Sequence, residues 1–171
     1  LTAIGDVMRH VYERGWITTR DGNISMRKRE GKYLYITPSG WRKTIVHPEH
    51  VVRIEIVKEP LTGDLIPKIR EGQHPSGELW MHWNLQRDGR KTRTVVHVHS
   101  THIVAAMYAG VDLQAISAEF PEISRYTRVG PTVPILPALS RELANATAEC
   151  FGLGKDGTLA FDIVGQANHG V

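Results

Sequence analysis

The stretch Thr94-Val95-Val96-His97-Val98-His99 reads as a buried β-strand that ends in two histidines one residue apart. Alternate residues of a strand face the same way, so both imidazoles can reach one ion. Neutral imidazole is a common zinc ligand, and a third ligand from elsewhere in the chain completes a site that keeps an open position. A pair of hydrogen-bonded histidines at a strand edge gives the same string, so the motif alone does not decide between the two. His169, in Asn168-His169-Gly170 after a late strand, is the candidate third ligand, and the adjacent glycine permits close backbone approach to an ion. His102 falls on the helix that follows His99 and reads as a packing or supporting residue rather than a ligand.

Working outward, Ile4, Val7, Met8, Val11 and Tyr12 recur at helical spacing, which predicts a helix over 2–14 with Gly15 at its C-terminal end. Short strands are expected at Asn23 to Arg27, Tyr33 to Thr37 and Val51 to Val57. Turns are expected at Glu30-Gly31, Pro38-Ser39-Gly40 and Thr62-Gly63-Asp64. After Ser76, Leu79, Trp80, Trp83 and Leu85 predict a helix ending near Asp88-Gly89. A helix through Ile103, Val104, Met107 and Tyr108 follows the histidine strand. Ser140 is placed to N-cap a helix from Arg141 to Phe151, and Thr158 to Val164 reads as one or two strands split near Asp162. Strands and helices mix without regular βαβ alternation, which predicts layered α/β/α or α+β packing rather than a doubly wound parallel sheet.

Three turns pair glycine with a short polar residue at an element boundary: Gly22-Asn23, Ser39-Gly40 and Ser76-Gly77. Free N–H groups and side-chain donors at such places can cradle phosphate or carboxylate, although ordinary turn chemistry uses the same residues. Glu78 follows the third turn, in the expected first turn of its helix. There it either stabilises the helix N-terminus by charge or, beside a metal, serves as a general base. Gly152-Leu153-Gly154-Lys155-Asp156-Gly157 matches a dinucleotide fingerprint as a string, but it follows a helix and precedes a strand, the reverse of what pyrophosphate binding needs, and reads as a loop. Arg125, Tyr126 and Arg128 offer carboxylate contacts or a proton donor, with an exposed loop as the simpler reading.

With 41% hydrophobic and 23% charged residues in 171, the chain has the make-up of a single folded domain and not of a disordered one. No apolar run is long enough to span a bilayer, so no membrane association is expected. The opening residues lack the pattern of a secretory leader. Cys150 is the only cysteine, which rules out an internal disulfide and fits a reducing, cytoplasmic location. Lys and Arg are scattered rather than gathered into a tract, so the net charge of +3 reads as a solvated surface and not as a nucleic-acid interface.

Taken in order, Gly22-Asn23-Ile24-Ser25, Thr37-Pro38-Ser39-Gly40, Pro75-Ser76-Gly77-Glu78, His97-Val98-His99 and Asn168-His169-Gly170 resemble the class II aldolase/adducin family from the first helix to the last residue. That resemblance implies an α/β fold, a three-layer α/β/α arrangement with a central mixed, largely antiparallel sheet, as one domain over 1–171. It implies zinc, or another divalent metal ion, on His97, His99 and His169, with a catalytic carboxylate at Glu78. It implies a substrate and phosphate cradle from Gly22, Asn23, Ser39, Gly40, Ser76 and Gly77, and a homotetramer with active sites at subunit interfaces. The chain starts without Met and stops at Val171 directly after His169-Gly170, where family chains continue into a C-terminal helix, so both native ends are expected to lie outside Leu1 to Val171.

The adducin branch of the family is a scaffold without the metal ligands; this chain keeps them, which implies an enzyme. Epimerase members resemble Ser-Ser-Asp at the third turn, whereas Glu78 points to carbon–carbon cleavage. The implied reaction on a small-molecule substrate is aldol cleavage of a small ketose phosphate through a metal-stabilised enediolate. Decarboxylation of a hydroxy- or oxo-acid is the alternative, and a non-enzymatic interaction module the further one. Three departures bear on that choice. Gly77 stands in place of a second serine, Asp21 sets a negative charge beside Gly22, and Ala115-Ile116-Ser117-Ala118 stands where family aldolases carry a proton-donating tyrosine.

Overall fold

The computed structural model describes residues 1–28, 31–87 and 90–171, so Glu30 of one expected turn and the Asp88-Gly89 helix end lie outside the described residues. Helix α1 (Thr2–Glu13) buries Ile4, Met8 and Val11 on one face, as their spacing requires. Gly15 follows its end at a φ of +70°. Strands β1 (Asn23–Arg27), β2 (Tyr33–Ile36), β3 (Val52–Lys58), β4 (Leu65–Lys68) and β5 (Thr94–His97) form one sheet in the order β4-β3-β2-β1-β5, with antiparallel neighbours throughout. Two isolated parallel bridges, Val129 to Ile163 and Val133 to Gln166, lie outside this sheet, which among the described residues is antiparallel rather than mixed.

Helix α1 packs with Ile17, Ile24, Val46 and Val51 on one side of the sheet. On the other side Leu34, Ile36, Ile54 and Ile56 meet Leu79 and Trp83 of helix α2 (Leu79–Gln86). Helix α6 (Arg141–Phe151) then covers α2 through contacts among Met81, Leu85 and Ala144. The layers are therefore helix, sheet and helix, and α2, enclosed between sheet and α6, is apolar around most of its circumference. Ser140 caps α6 by accepting from the Leu143 N–H at 3.0 Å. Helices α3 (Thr101–Tyr108), α4 (Leu113–Ala118) and α5 (Pro121–Tyr126) link β5 to the last third of the chain.

Several expectations are corrected. The histidine strand is not buried: β5 is an edge strand, and Val96 is 40% exposed. Thr158 to Val164 forms isolated bridges at Leu159 and Ile163 rather than strands. Strand β4 was not expected because Pro67 interrupts a short run, yet proline is tolerated on an edge strand such as this one. Helices α4 and α5 are six residues each, too short for a period to show, although Asp112 caps the first and Pro121 opens the second.

Candidate metal centre

Antiparallel pairing sets Asn23 of β1 directly opposite His97 of β5, so their side chains leave the same face of the sheet, towards α2. His99 lies just beyond the strand. The third histidine comes from a tight turn, Gln166 to Gly170, in which Asn168 takes a positive φ of 56° and Gln166 pairs with Gly170. Gln166 is itself buried and donates to Thr147 Oγ1 of α6 at 2.8 Å, which ties the turn to the helical layer. Val171 pairs with Val98 through both backbone groups, each at 2.9 Å, and so draws the turn against the strand end. A Cβ on Gly170 would stand 2.8 Å from both the His97 and His99 rings, so only glycine lets the turn come this close.

The result is a three-imidazole cluster in which one nitrogen from each of His97, His99 and His169 lies within 4.8 Å of the others. His97 Nδ1 donates to the Val171 carbonyl at 3.0 Å, which leaves Nε2 with its lone pair facing inward. That Nε2 stands 2.8 Å from His99 Nε2 and 3.3 Å from Glu78 Oε2. His99 Nδ1 faces Asp21 Oδ2 at 3.7 Å on its other side. Burial, reinforced by the neighbouring His99 and His169, lowers the His97 pKa to about 3. His99 is lowered by burial too, against the opposing pull of Asp21. Neutral imidazoles gathered around one point are what a divalent ion requires, and an all-nitrogen set of three suits zinc with a position left for substrate. Two further atoms, Glu78 Oε1 and His169 Nδ1, are buried without a hydrogen-bond partner.

Glu78 is the N-cap residue of α2 rather than a member of its first turn, and its carboxylate makes no capping bond to the helix. It turns instead to the histidines, Oε1 standing 3.6 Å from His169 Nε2, while Asn23 Nδ2 donates to Oε2 at 2.7 Å. A capping hydrogen bond therefore does not account for this side chain, which is only 5% exposed.

The three glycine turns converge on the same cleft, which is lined by Gly22, Asn23, Ser39, Gly40, Ser76, Gly77, Glu78, His99 and His169 together with Arg20, Asp21, Lys43 and Leu139. All nine of the expected cradle and site residues in that lining thus lie together, and His97 lies directly behind them. Asn23 spends its side chain on Glu78 and on His82 rather than leaving it open to the cleft. Asp21 is tied to the Thr18 N–H at 2.5 Å and the Thr18 hydroxyl at 2.9 Å, so its charge is already engaged. The space a serine would need at position 77 is bordered by Leu139, whose methyl carbons lie 3.1 and 3.2 Å from a Cβ built there.

Lys43, which sequence reasoning passed over, is buried in a short 3-10 turn and donates to the Pro38 carbonyl at 3.1 Å. Burial lowers its pKa, with Asp21 and Glu78 opposing. His82 was passed over as well; it is fully buried four residues after Glu78 on the same face of α2. The four-residue spacing of Glu78, His82 and Gln86, in a helix whose other residues are apolar except Asn84, was the available signal. His102, by contrast, is exposed on α3. Arg125 and Tyr126 are exposed on α5, and Arg128 is committed to Asp162 at 2.7 Å.

Comparison with known proteins bears on the family and the fold. The model of the Class II Aldolase and Adducin N-terminal domain matches residues 2–171. A 3-oxo-tetronate 4-phosphate decarboxylase of Cupriavidus necator is 33% identical over 101 residues, which is 59% of this chain and 42% of that protein. An L-fuculose phosphate aldolase of Methanococcus vannielii is 26% identical over 140 residues, covering 82% of this chain and 69% of its own. The match therefore spans less than half of the first relative. A sugar-phosphate aldolase from Thermotoga maritima superposes with a TM-score of 0.77 over 99% of this chain and 81% of its own, at 18% identity, and so shares the fold.

Proposed function

This chain belongs to the class II aldolase and adducin family, and from that premise we propose that it is a metal-dependent carbon–carbon lyase whose first reaction is aldol cleavage of a small ketose phosphate. The observation that carries the reading is the Glu78 carboxylate, buried beside the three clustered imidazoles with Oε1 unpartnered. His97, His99 and His169 would hold the ion. A bound divalent ion supplies positive charge for the electron pair left on substrate oxygens when the carbon–carbon bond breaks.

The chain's own residues account for binding and proton movement. The cradle of Gly22, Ser39, Gly40, Ser76 and Gly77, with Arg20 and Lys43 as nearby cations, suits an anionic group on the substrate. In retro-aldol cleavage the hydroxyl proton leaves, the hydroxyl-bearing carbon departs as an aldehyde, and its former partner carbon takes a proton. Glu78 Oε1 is the atom we assign to carry a proton at that carbon. In decarboxylation carbon dioxide departs instead, and the same carboxyl group delivers the proton to the carbon left behind.

The second reading rests on a specific observation: among the described residues no tyrosine lines the cleft, and Ala115 to Ala118 lie in α4 outside that lining. Decarboxylation needs no acid for a departing aldehyde, so this favours an oxo-acid substrate. Zinc-loaded protein incubated with ketose 1-phosphates and with oxo-acids, following aldehyde and carbon dioxide in parallel, tests both. Aldehyde from a ketose phosphate supports the first reading, carbon dioxide alone transfers the assignment to the second, and neither product returns weight to a binding module. We also propose a homotetramer in the cytoplasm. Exposed apolar side chains at Tyr108, Phe120, Tyr126 and Ile135 support association, and light scattering that reports an active monomer would contradict it.

A further inference from the structure

Between sheet and helix lies a buried polar seam that the catalytic reading does not use. Strand β1 alternates Asn23, Ser25 and Arg27 towards α2, and α2 answers with Glu78, His82 and Gln86 at four-residue intervals. The members are almost wholly excluded from water: His82, Ser25 and Gln86 have no exposed surface. Burying this much polar surface is unfavourable unless the groups satisfy one another in a fixed pattern.

The polarity of that pattern follows from its end. Asn23 Nδ2 donates to Glu78 Oε2 at 2.7 Å, the carboxylate oxygen being the acceptor. Asn23 Oδ1 then faces His82 Nε2, which must carry the proton to donate there. His82 Nδ1 is left as an acceptor, filled by the Ser25 hydroxyl at 2.6 Å. Ser25 Oγ in turn accepts from Gln86 Nε2. Every hydrogen points towards Glu78. Burial keeps His82 neutral, lowering its pKa to about 3, so the imidazole has one tautomer to adopt.

We propose that His82 is a positioning residue for Glu78: with its tautomer set by Ser25 and Gln86, it locks the Asn23 amide, which occupies Oε2 and leaves Oε1 as the free oxygen. This rests on the reading of Glu78 as the proton-carrying group. The seam acts only through Asn23, since His82 touches neither the cleft nor the three clustered histidines in the described contacts. A carboxylate free to rotate would divide its time between productive and unproductive orientations, and small misplacements of a reacting group cost about 100-fold in rate.

The test uses the full chain loaded with zinc, with His82→Leu, which removes both ring nitrogens, and His82→Gln, whose amide can restore the donor to Asn23. Long-range proton–nitrogen NMR of the parent, with the His82 signals identified by their loss in the variants, should show the proton on Nε2 and a bare Nδ1 at neutral pH. His82→Leu should keep its zinc and KM and lose about 100-fold in kcat, and His82→Gln should recover most of that loss. A proton on Nδ1, an unchanged kcat in His82→Leu, or equal losses in both variants would overturn the proposal. If the parent turns over neither substrate class, the lyase reading fails, and the NMR spectrum decides the tautomer by itself.

Discussion

At the scale of single residues, the decisive feature is a carboxylate placed where a helix cap would be and not used as one. Glu78 is held by Asn23 and faces His97 and His169, so removing its charge should affect chemistry more than folding. Glu78→Gln is expected to retain metal and fold while losing about 10²- to 10⁴-fold in turnover, the usual contribution of a general base. Near-parental rates would leave Glu78 without a chemical role. His97→Ala is expected to lose the metal, because His97 Nε2 is turned inward by the Val171 hydrogen bond. Elemental analysis of the reconstituted variant at parental zinc content would contradict the three-histidine assignment.

At the scale of elements, each part of the site arrives on a different piece of backbone. Strand register brings Asn23 beside His97, the N-terminus of α2 brings Glu78, and a turn anchored by Gln166 on Thr147 of α6 brings His169. Helix α6 therefore supports the histidine cluster at a distance. Its N-cap is a single bond from Ser140 to the Leu143 N–H, so Ser140→Ala is expected to destabilise the protein by about 1 kcal/mol. Because the cap lies away from the cluster, zinc content should stay unchanged; chemical denaturation and metal analysis together check both halves. Sequence reasoning found β1, α1 and α6 nearly residue for residue because each carries a full period or a cap. It overrated the burial of β5, since an apolar run reads alike in a central strand and an edge strand.

At the scale of the whole molecule, two buried histidines make folding sensitive to acid. The pKa values of His82 and His97 fall to about 3, chiefly through burial, from an ordinary value of 6.5. The unfolded chain thus binds protons that the folded chain refuses. Stability from this source stands in full above the unfolded value and is lost as pH falls from about 6.5 towards 3. Metal-free protein is expected to melt at progressively lower temperature across that window, and a flat Tm profile would show that these imidazoles are not kept neutral by the fold. Bound metal adds to the slope, because protons and the ion compete for the same nitrogens.

The sequence by itself determined the ligand types and the local frame. His97 and His99 share a strand face because alternation requires it, the Gly-Asn and Ser-Gly pairs mark turns, and five motifs in order identify the family. Only the tertiary structure decided what those residues do to one another. It joined His169 to a strand that ends 72 positions earlier, at His97, through the Val98 and Val171 pairing, engaged Asp21 with Thr18, and turned Asn23 from the cleft to Glu78. It also revealed His82 and Lys43, which no local pattern marked strongly. Periodicity and capping act over a few residues and are written in the chain, whereas burial and hydrogen-bond partnership depend on which distant segments the sheet register brings together.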